Sequence, residues 1–153
     1  MSLYLVQHGK SLPADIDPEK SLSAEGLAEV EAIASTARNN GITVSTIQHS
    51  GKKRAQQTAA ILGSILQPAG GIRERTGLEP TADVIPVARE LNSKDNLMLV
   101  GHLPFMERLT SFLITGTTEK AVFRFQNGGI VCLDIHPDTR TWAIKWALLP
   151  NIS

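Results

Sequence analysis

Cysteine, surplus charge and long apolar runs are all scarce in this sequence. Cys132 is the single cysteine among 153 residues, which excludes an internal disulfide and a cysteine-based metal cluster. The 15 basic and 15 acidic residues balance, which argues against nucleic acid or an anionic membrane as the main partner, because both favour a basic surplus. No apolar stretch approaches the roughly 20 residues of a membrane helix, and no signal peptide is recognisable. We therefore expect one globular domain over residues 1–153, located in the cytoplasm.

Strand and helix patterns alternate along the first two-thirds of the chain. Apolar runs predict strands at Leu3–Gln7, 43–48 and 96–100, and amphipathic spacing predicts helices from Ser23 to Gly41, at Lys53–Leu66, at 83–92 and at 104–114. Segment 67–81 is typical of a loop. In the last third, 121–125, Ile130–Ile135 and 141–148 are strand-like, with a turn at 127–129 between the first two.

The alternation predicts the fold class. Strands alternating with helices favour βαβ units and a parallel sheet covered on both faces. We therefore expect an α/β three-layer sandwich, with a mostly parallel central sheet, helices on both faces and antiparallel C-terminal strands at one edge.

Two histidines and an arginine follow the predicted parallel strands. His8 ends the first strand, His102 ends the third, and Arg54 lies one turn into the helix after the second. Ligands of open α/β sheets bind outside the carboxyl ends of the strands. Gly9 and Gly101 beside the histidines permit close backbone approach. The spacing alone leaves a functional site and a pair of structural histidines equally open.

Four short motifs carry a resemblance to a known family. They are QHG at 7–9, LSAEG at 22–26, SGKKRAQQT at 50–58 and GHLP at 101–104. In this order, over nearly the whole chain, they resemble the histidine phosphatase superfamily, whose fold is phosphoglycerate mutase-like. The short chain and the fourth motif resemble its small SixA-type phosphohistidine phosphatases.

The resemblance implies a role for each matching residue. His8 would be the nucleophile and would become transiently phosphorylated, while Arg54 and His102 would contact the phosphoryl oxygens. A neutral imidazole is a good nucleophile near neutral pH, and phosphoryl transfer mainly needs positioning and fixed positive charge. Gly9 and Gly101 would belong to the same phosphate site. No metal or other cofactor is implied.

Gln7 departs from the family pattern. The family motif begins with arginine, a planar charged fork that can hold two phosphate oxygens, whereas glutamine has no charge. Lys10, Lys52 and Lys53 are candidates for partial compensation, although the last two also suit a solvated helix start. Ser50 is a candidate phosphate donor and equally a helix N-cap.

Three further residues remain open between functional and structural interpretations. Glu79 lies where larger family members carry a general acid, but it also suits an exposed loop carboxylate. His49 follows the second strand and is either a pocket residue or structural. His136 belongs to a predicted surface turn, and the alternating apolar sequence around Cys132 indicates a small buried side chain.

The leading functional hypothesis is a metal-independent phosphatase that removes phosphate from phosphohistidine in a protein. A short chain leaves little material for a lid, and segment 67–81 is the only candidate cover. The alternatives are a phosphatase of small phosphate esters with Glu79 as acid, and a weakly catalytic phosphate-binding regulatory module, because Gln7 replaces arginine.

Overall fold

Buried apolar runs form the centre of a six-stranded sheet in the computed structural model, which describes residues 1–151. The strands are β1 Leu3–Gln7, β2 Thr46–His49, β3 Ile72–Glu74, β4 Leu97–Gly101, β5 Ile130–Ile135 and β6 Trp142–Leu148. Their order in the sheet is β3-β2-β4-β1-β5-β6. The first four strands are mutually parallel, β5 runs antiparallel to β1, and β6 runs antiparallel to β5.

Helices cover both faces of this sheet. They are α1 Ala24–Asn39, α2 Lys53–Leu66, α3 Ile85–Glu90 and α4 Phe105–Thr115. Val30 of α1 and Leu62 of α2 pack with Val6 in one buried core, while Phe105 of α4 packs with Leu5 in the other. The predicted three-layer α/β sandwich is therefore confirmed. None of the helices in residues 1–151 is both long enough and apolar enough to cross a membrane.

The start of α1 fixes the segment that follows β1. Ser23 caps the helix as predicted, since its hydroxyl accepts a hydrogen bond from the Gly26 amide at 3.0 Å. The Ser23 amide also donates to the Lys10 carbonyl at 2.9 Å. A Cβ on Gly26 would lie 2.1 Å from the same carbonyl oxygen. Only glycine at position 26 allows α1 to approach the residues after β1 this closely.

Several predicted boundaries are shifted. β2 begins at Thr46 rather than 43 because its partner β4 begins only at Leu97. Asn96, predicted to start that strand, has φ 50° and instead ends a 3₁₀ turn at Ser93–Asp95. α3 is shorter than predicted, and Pro104 precedes α4 instead of being its first residue.

The predicted strand at 121–125 is wrong. β5 already pairs with β1 on one side and β6 on the other, so no free sheet edge is left beside it. Phe125 packs into the core beneath α4 instead. The turn at 127–129 consequently does not close a hairpin. It lies against the end of β1, where the Gly128 amide donates to the Gln7 carbonyl at 2.8 Å.

The predicted loop at 67–81 contains one short strand and one residue of the core. This segment contains β3, which pairs with β2, and Leu78, which is fully buried in the core. The segment therefore contributes to both the sheet and the core.

Candidate active site

The sheet order brings the two predicted histidines together. β4 lies between β1 and β2, so the carboxyl ends of these three parallel strands are adjacent. The rings of His8 and His102 lie 5.1 Å apart between centroids, tilted by 55°. Ser50, which follows β2, places its hydroxyl oxygen 2.6 Å from Nε2 of His102.

The imidazole of His8 is held in one tautomer. Its Nδ1 lies 2.7 Å from the carbonyl oxygen of Gly9. A carbonyl oxygen can only accept a hydrogen bond, so Nδ1 must carry the proton and Nε2 keeps its lone pair. Burial and the nearby charges of Arg54 and Lys20 lower the pKa of His8. His8 is therefore neutral at neutral pH and has a free nucleophilic nitrogen.

Hydrogen bonds from three directions fix the backbone at His8. Its amide donates to the Gly101 carbonyl of β4 at 2.9 Å. Its carbonyl accepts from the Asn127 side chain at 3.0 Å and from the Gly128 amide at 3.2 Å. The Gly9 amide donates to the Thr58 hydroxyl of α2 at 3.0 Å. This arrangement holds a side chain in place in advance, as phosphoryl transfer requires.

Two α2 residues and Asn127 were given no role on the sequence evidence. Thr58 bridges Gly9 to the carbonyl of Arg54, to which its hydroxyl donates at 2.8 Å. Gln57 accepts from the Leu22 amide at 2.7 Å and so connects α2 to the approach to α1. Both residues belong to the third motif, so that motif is the sequence signal that could have identified them. Asn127 is 119 residues from His8, and no short-range pattern points to this contact.

His102 is buried and neutral. Only 2% of its surface is exposed. Burial, followed by the charges of His8, Arg54 and Lys52, lowers its pKa from 6.5 to about 3. Its Nε2 contacts Ser50, whereas its Nδ1 has no hydrogen-bond partner among residues 1–151. The sequence suggested that Ser50 donates to phosphate or caps α2. Ser50 does not cap α2, because the N-cap is Lys52 and no side chain bonds there. Its hydroxyl contacts His102 instead.

Arg54 supplies the fixed positive charge. It is half-buried, one residue into α2, and no carboxylate lies within 4.0 Å of it among residues 1–151. Its charge is close enough to lower the pKa of both histidines. Arg54 and the start of α2 thus create a positive potential beside His8, suited to an anion.

Gln7 borders a recess next to His8. The recess has a volume of about 410 Å³ and also includes Leu103, Phe125 and Asn127 in its lining. The Gln7 Oε1 atom is buried and has no hydrogen-bond partner among residues 1–151. Lys10 also borders the recess, but its ammonium group is paired with Glu25 at 2.7 Å.

The other predicted residues make no hydrogen bond to the side chains of His8, Arg54 or His102 within residues 1–151. Glu79 is exposed and makes no side-chain hydrogen bond within residues 1–151. His49 is buried, and its Nδ1 accepts from the Gly51 amide at 3.1 Å, which is a structural contact. His136 is exposed in the turn between β5 and β6, and Cys132 is buried in β5.

No protein-family model matches the sequence, and no curated protein is significantly similar to it. Solved structures do match along nearly the whole chain. The protein histidine phosphatase SixA complexed with tungstate superposes with a TM-score of 0.81 at 21% identity, covering 98% of this chain and 97% of that one. The chain has the phosphoglycerate mutase-like fold.

Two further structures share this phosphoglycerate mutase-like fold. A proposed phosphohistidine phosphatase SixA from Agrobacterium tumefaciens has a TM-score of 0.76 at 24% identity, with 98% of each chain covered. A proposed alpha-ribazole-5'-P phosphatase from Escherichia coli has a TM-score of 0.76 at 19% identity, covering 100% of this chain and 98% of that one.

Proposed function

We propose that this protein is a phosphatase that hydrolyses phosphohistidine in a protein, with His8 as the nucleophile. The observation that carries the proposal is the free Nε2 of a neutral His8, held by the Gly9 carbonyl beside His102 and Arg54. A fixed neutral imidazole next to an unpaired cation suits attack on a phosphoryl group. The similar SixA structure holds tungstate, which is an oxyanion like phosphate.

The reaction proceeds in two transfers. Nε2 of His8 attacks phosphorus, and the bond from phosphorus to the substrate imidazole breaks as that ring keeps the electron pair. A protonated substrate imidazole leaves as a neutral ring, which lessens the need for a strong general acid. Water then attacks phosphorus on His8, and free phosphate leaves as the His8 ring regains its lone pair. Arg54 stabilises the phosphoryl oxygens in both steps.

A protein substrate is favoured by the position of the site. His8 and His102 lie at the rim of the sheet, and segment 67–81 supplies β3 and the buried Leu78. A site at the rim of a sheet can admit a side chain that projects from another protein.

Phosphate release from a phosphohistidine-bearing protein tests the proposal. We expect release by the parent chain and none by His8→Ala, with acid-labile phosphate trapped on the parent alone. His136→Ala is the matched control, because it removes an exposed histidine far from the site and should leave the rate unchanged. Equal release by the His8→Ala variant would refute the proposal.

Two alternatives are each supported by one observation. The similarity to an alpha-ribazole-5'-P phosphatase favours a small phosphate ester as substrate. In that case Glu79→Gln would abolish ester hydrolysis and spare phosphohistidine hydrolysis. The neutral Gln7 favours a phosphate-binding module with little turnover. In that case a phosphoryl group would never be found on His8.

A further inference from the structure

A groove leads outward from Arg54. It lies between the loop at 11–22 and the first turn of α2, and its volume is about 430 Å³. The groove is lined by Pro18, Glu19, Gly51, Lys52, Lys53, Arg54 and Gln56. Because Arg54 forms part of this lining, the groove adjoins the cation proposed to hold the phosphoryl group.

The groove and its rim concentrate positive charge. Lys52 and Lys53 are exposed, and Lys20 is exposed on the adjoining loop. Within residues 1–151, none of these lysines has a carboxylate within 4.0 Å. Glu19 is the one acidic residue in the lining, and on the adjoining loop the pKa of Asp17 is lowered by hydrogen bonds from Ser21 and Glu19 and by the nearby charge of Lys53. In a chain whose charges cancel overall, this clustering creates a local positive potential.

The loop wall of the groove is held in a fixed shape. The Asp17 carboxylate accepts from the Glu19 amide at 3.0 Å and from the Ser21 amide at 3.1 Å. The same loop exposes Ile16, whose side chain is 69% exposed although it is large and apolar. A fixed wall with an exposed apolar side chain beside lysines offers a contact surface wider than a phosphate group needs.

We propose that this groove binds an acidic segment of the substrate protein next to its phosphohistidine, with Lys52 and Lys53 as the docking cations. The inference rests on the proposed phosphohistidine phosphatase activity and adds a preference among its substrates. Unpaired lysines attract acidic surfaces and repel basic ones, so they should mainly change the rate at which the substrate associates.

Short synthetic peptides with a central phosphohistidine test this docking surface. One peptide has glutamate on both sides of the phosphohistidine, a second has lysine and a third has serine. We expect kcat/KM for the glutamate peptide to exceed that for the lysine peptide by about tenfold at low salt, and the ratio to approach one near 1 M salt, where charges are screened.

Charge reversal tests whether Lys52 and Lys53 are the docking cations. The variant Lys52→Glu/Lys53→Glu should invert the preference between the glutamate and lysine peptides. Lys94→Glu/Lys145→Glu is the matched control, since it makes the same charge change outside the groove lining and should keep the parent's preference. The ratio between peptides is the readout because it cancels any change in the chemical step.

The outcomes separate docking from catalysis. If all three peptides are hydrolysed equally well with dependence on His8, the docking inference is wrong and the proposed function stands. If the preference is found but survives Lys52→Glu/Lys53→Glu, the groove is not its source, and the inference is again wrong. If no peptide is hydrolysed above the His8→Ala background, the proposed function itself fails.

Discussion

At the scale of single residues, the site has little fixed charge close to the reacting atoms. Burial and neighbouring cations keep both His8 and His102 neutral, so Arg54 is the permanent cation at the proposed phosphoryl position. Gln7 can offer amide hydrogen bonds but no charge. Position 7 is therefore where a single substitution should alter the rate most directly.

We predict that Gln7→Arg raises the rate of phosphate release. A guanidinium at position 7, next to His8 in the chain, would add a charged fork for the phosphoryl oxygens. Loss of a transition-state arginine costs about 10³–10⁵ in rate in other phosphoryl transfers, and because Arg54 is present we expect a gain nearer the order of tenfold. Gln7→Met, of similar size but without donors, should be slower than the parent in the same kcat/KM measurement. An unchanged or lower rate in Gln7→Arg would contradict this role for position 7.

His102 should make folding stability sensitive to acid. Its pKa is lowered to about 3 in the folded chain, so below about pH 6.5 only the unfolded chain takes up this proton. The resulting loss in the free energy of unfolding is absent above pH 6.5 and grows as the pH falls towards 3. Between about pH 7 and 4, the free energy of unfolding of the parent should fall by up to about 3 kcal/mol more than that of His102→Asn. Urea unfolding at both pH values measures this, and parallel losses would contradict it.

At the scale of elements, α2 does more than cover the sheet. Its N-terminal end carries Arg54, and its next turn holds Thr58, which accepts from the amide next to the nucleophile. The helix thus couples the position of the cation to the position of His8. A change in Thr58 should therefore affect catalysis although its side chain does not touch the phosphoryl position.

We predict that Thr58→Val lowers kcat and destabilises the fold. Valine has nearly the same shape but leaves the buried Gly9 amide without an acceptor, which costs about 1–3 kcal/mol. Thr58→Ser keeps the hydroxyl and should retain most of the parent's kcat. Rates and urea unfolding of both variants are the measurements. Equal kcat for Thr58→Val and the parent would show that this bond does not position the nucleophile.

At the scale of the whole molecule, segment 67–81 completes both the core and one edge of the sheet. Leu78 is fully buried in the core with α3 and α4, and β3 adds an edge strand beyond β2. The segment therefore takes part in the packing of the core and in the sheet. Substitutions in segment 67–81 should therefore lower stability rather than the catalytic rate.

We predict that Leu78→Ala lowers the free energy of unfolding by about 2–5 kcal/mol, because it leaves a cavity in a packed core. Ile16→Ala, at a side chain that is 69% exposed, should change it by no more than about 0.5 kcal/mol. Urea unfolding compares the two variants with the parent. A small effect of Leu78→Ala would mean that this side chain contributes little to the packing of the core.

Local patterns determined the elements whose apolar residues recur regularly along their length. β1 and α2 have the predicted bounds, and Ser23 caps α1, because each depends on neighbouring residues in the chain. The position of His8, Arg54 and His102 at one edge of the sheet was also predictable, because the carboxyl ends of parallel strands meet there. These inferences require only short-range periodicity and one rule of topology.

Other features were decided by tertiary structure alone. Whether 121–125 could form a strand depended on a free sheet edge, and β1 and β6 had already taken both sides of β5. The contact of Asn127 with His8 spans 119 residues, and the contact of Ser50 with His102 spans 52. Hydrogen-bond partners and sheet edges are shared among distant segments, so only the completed fold determines which segment takes them.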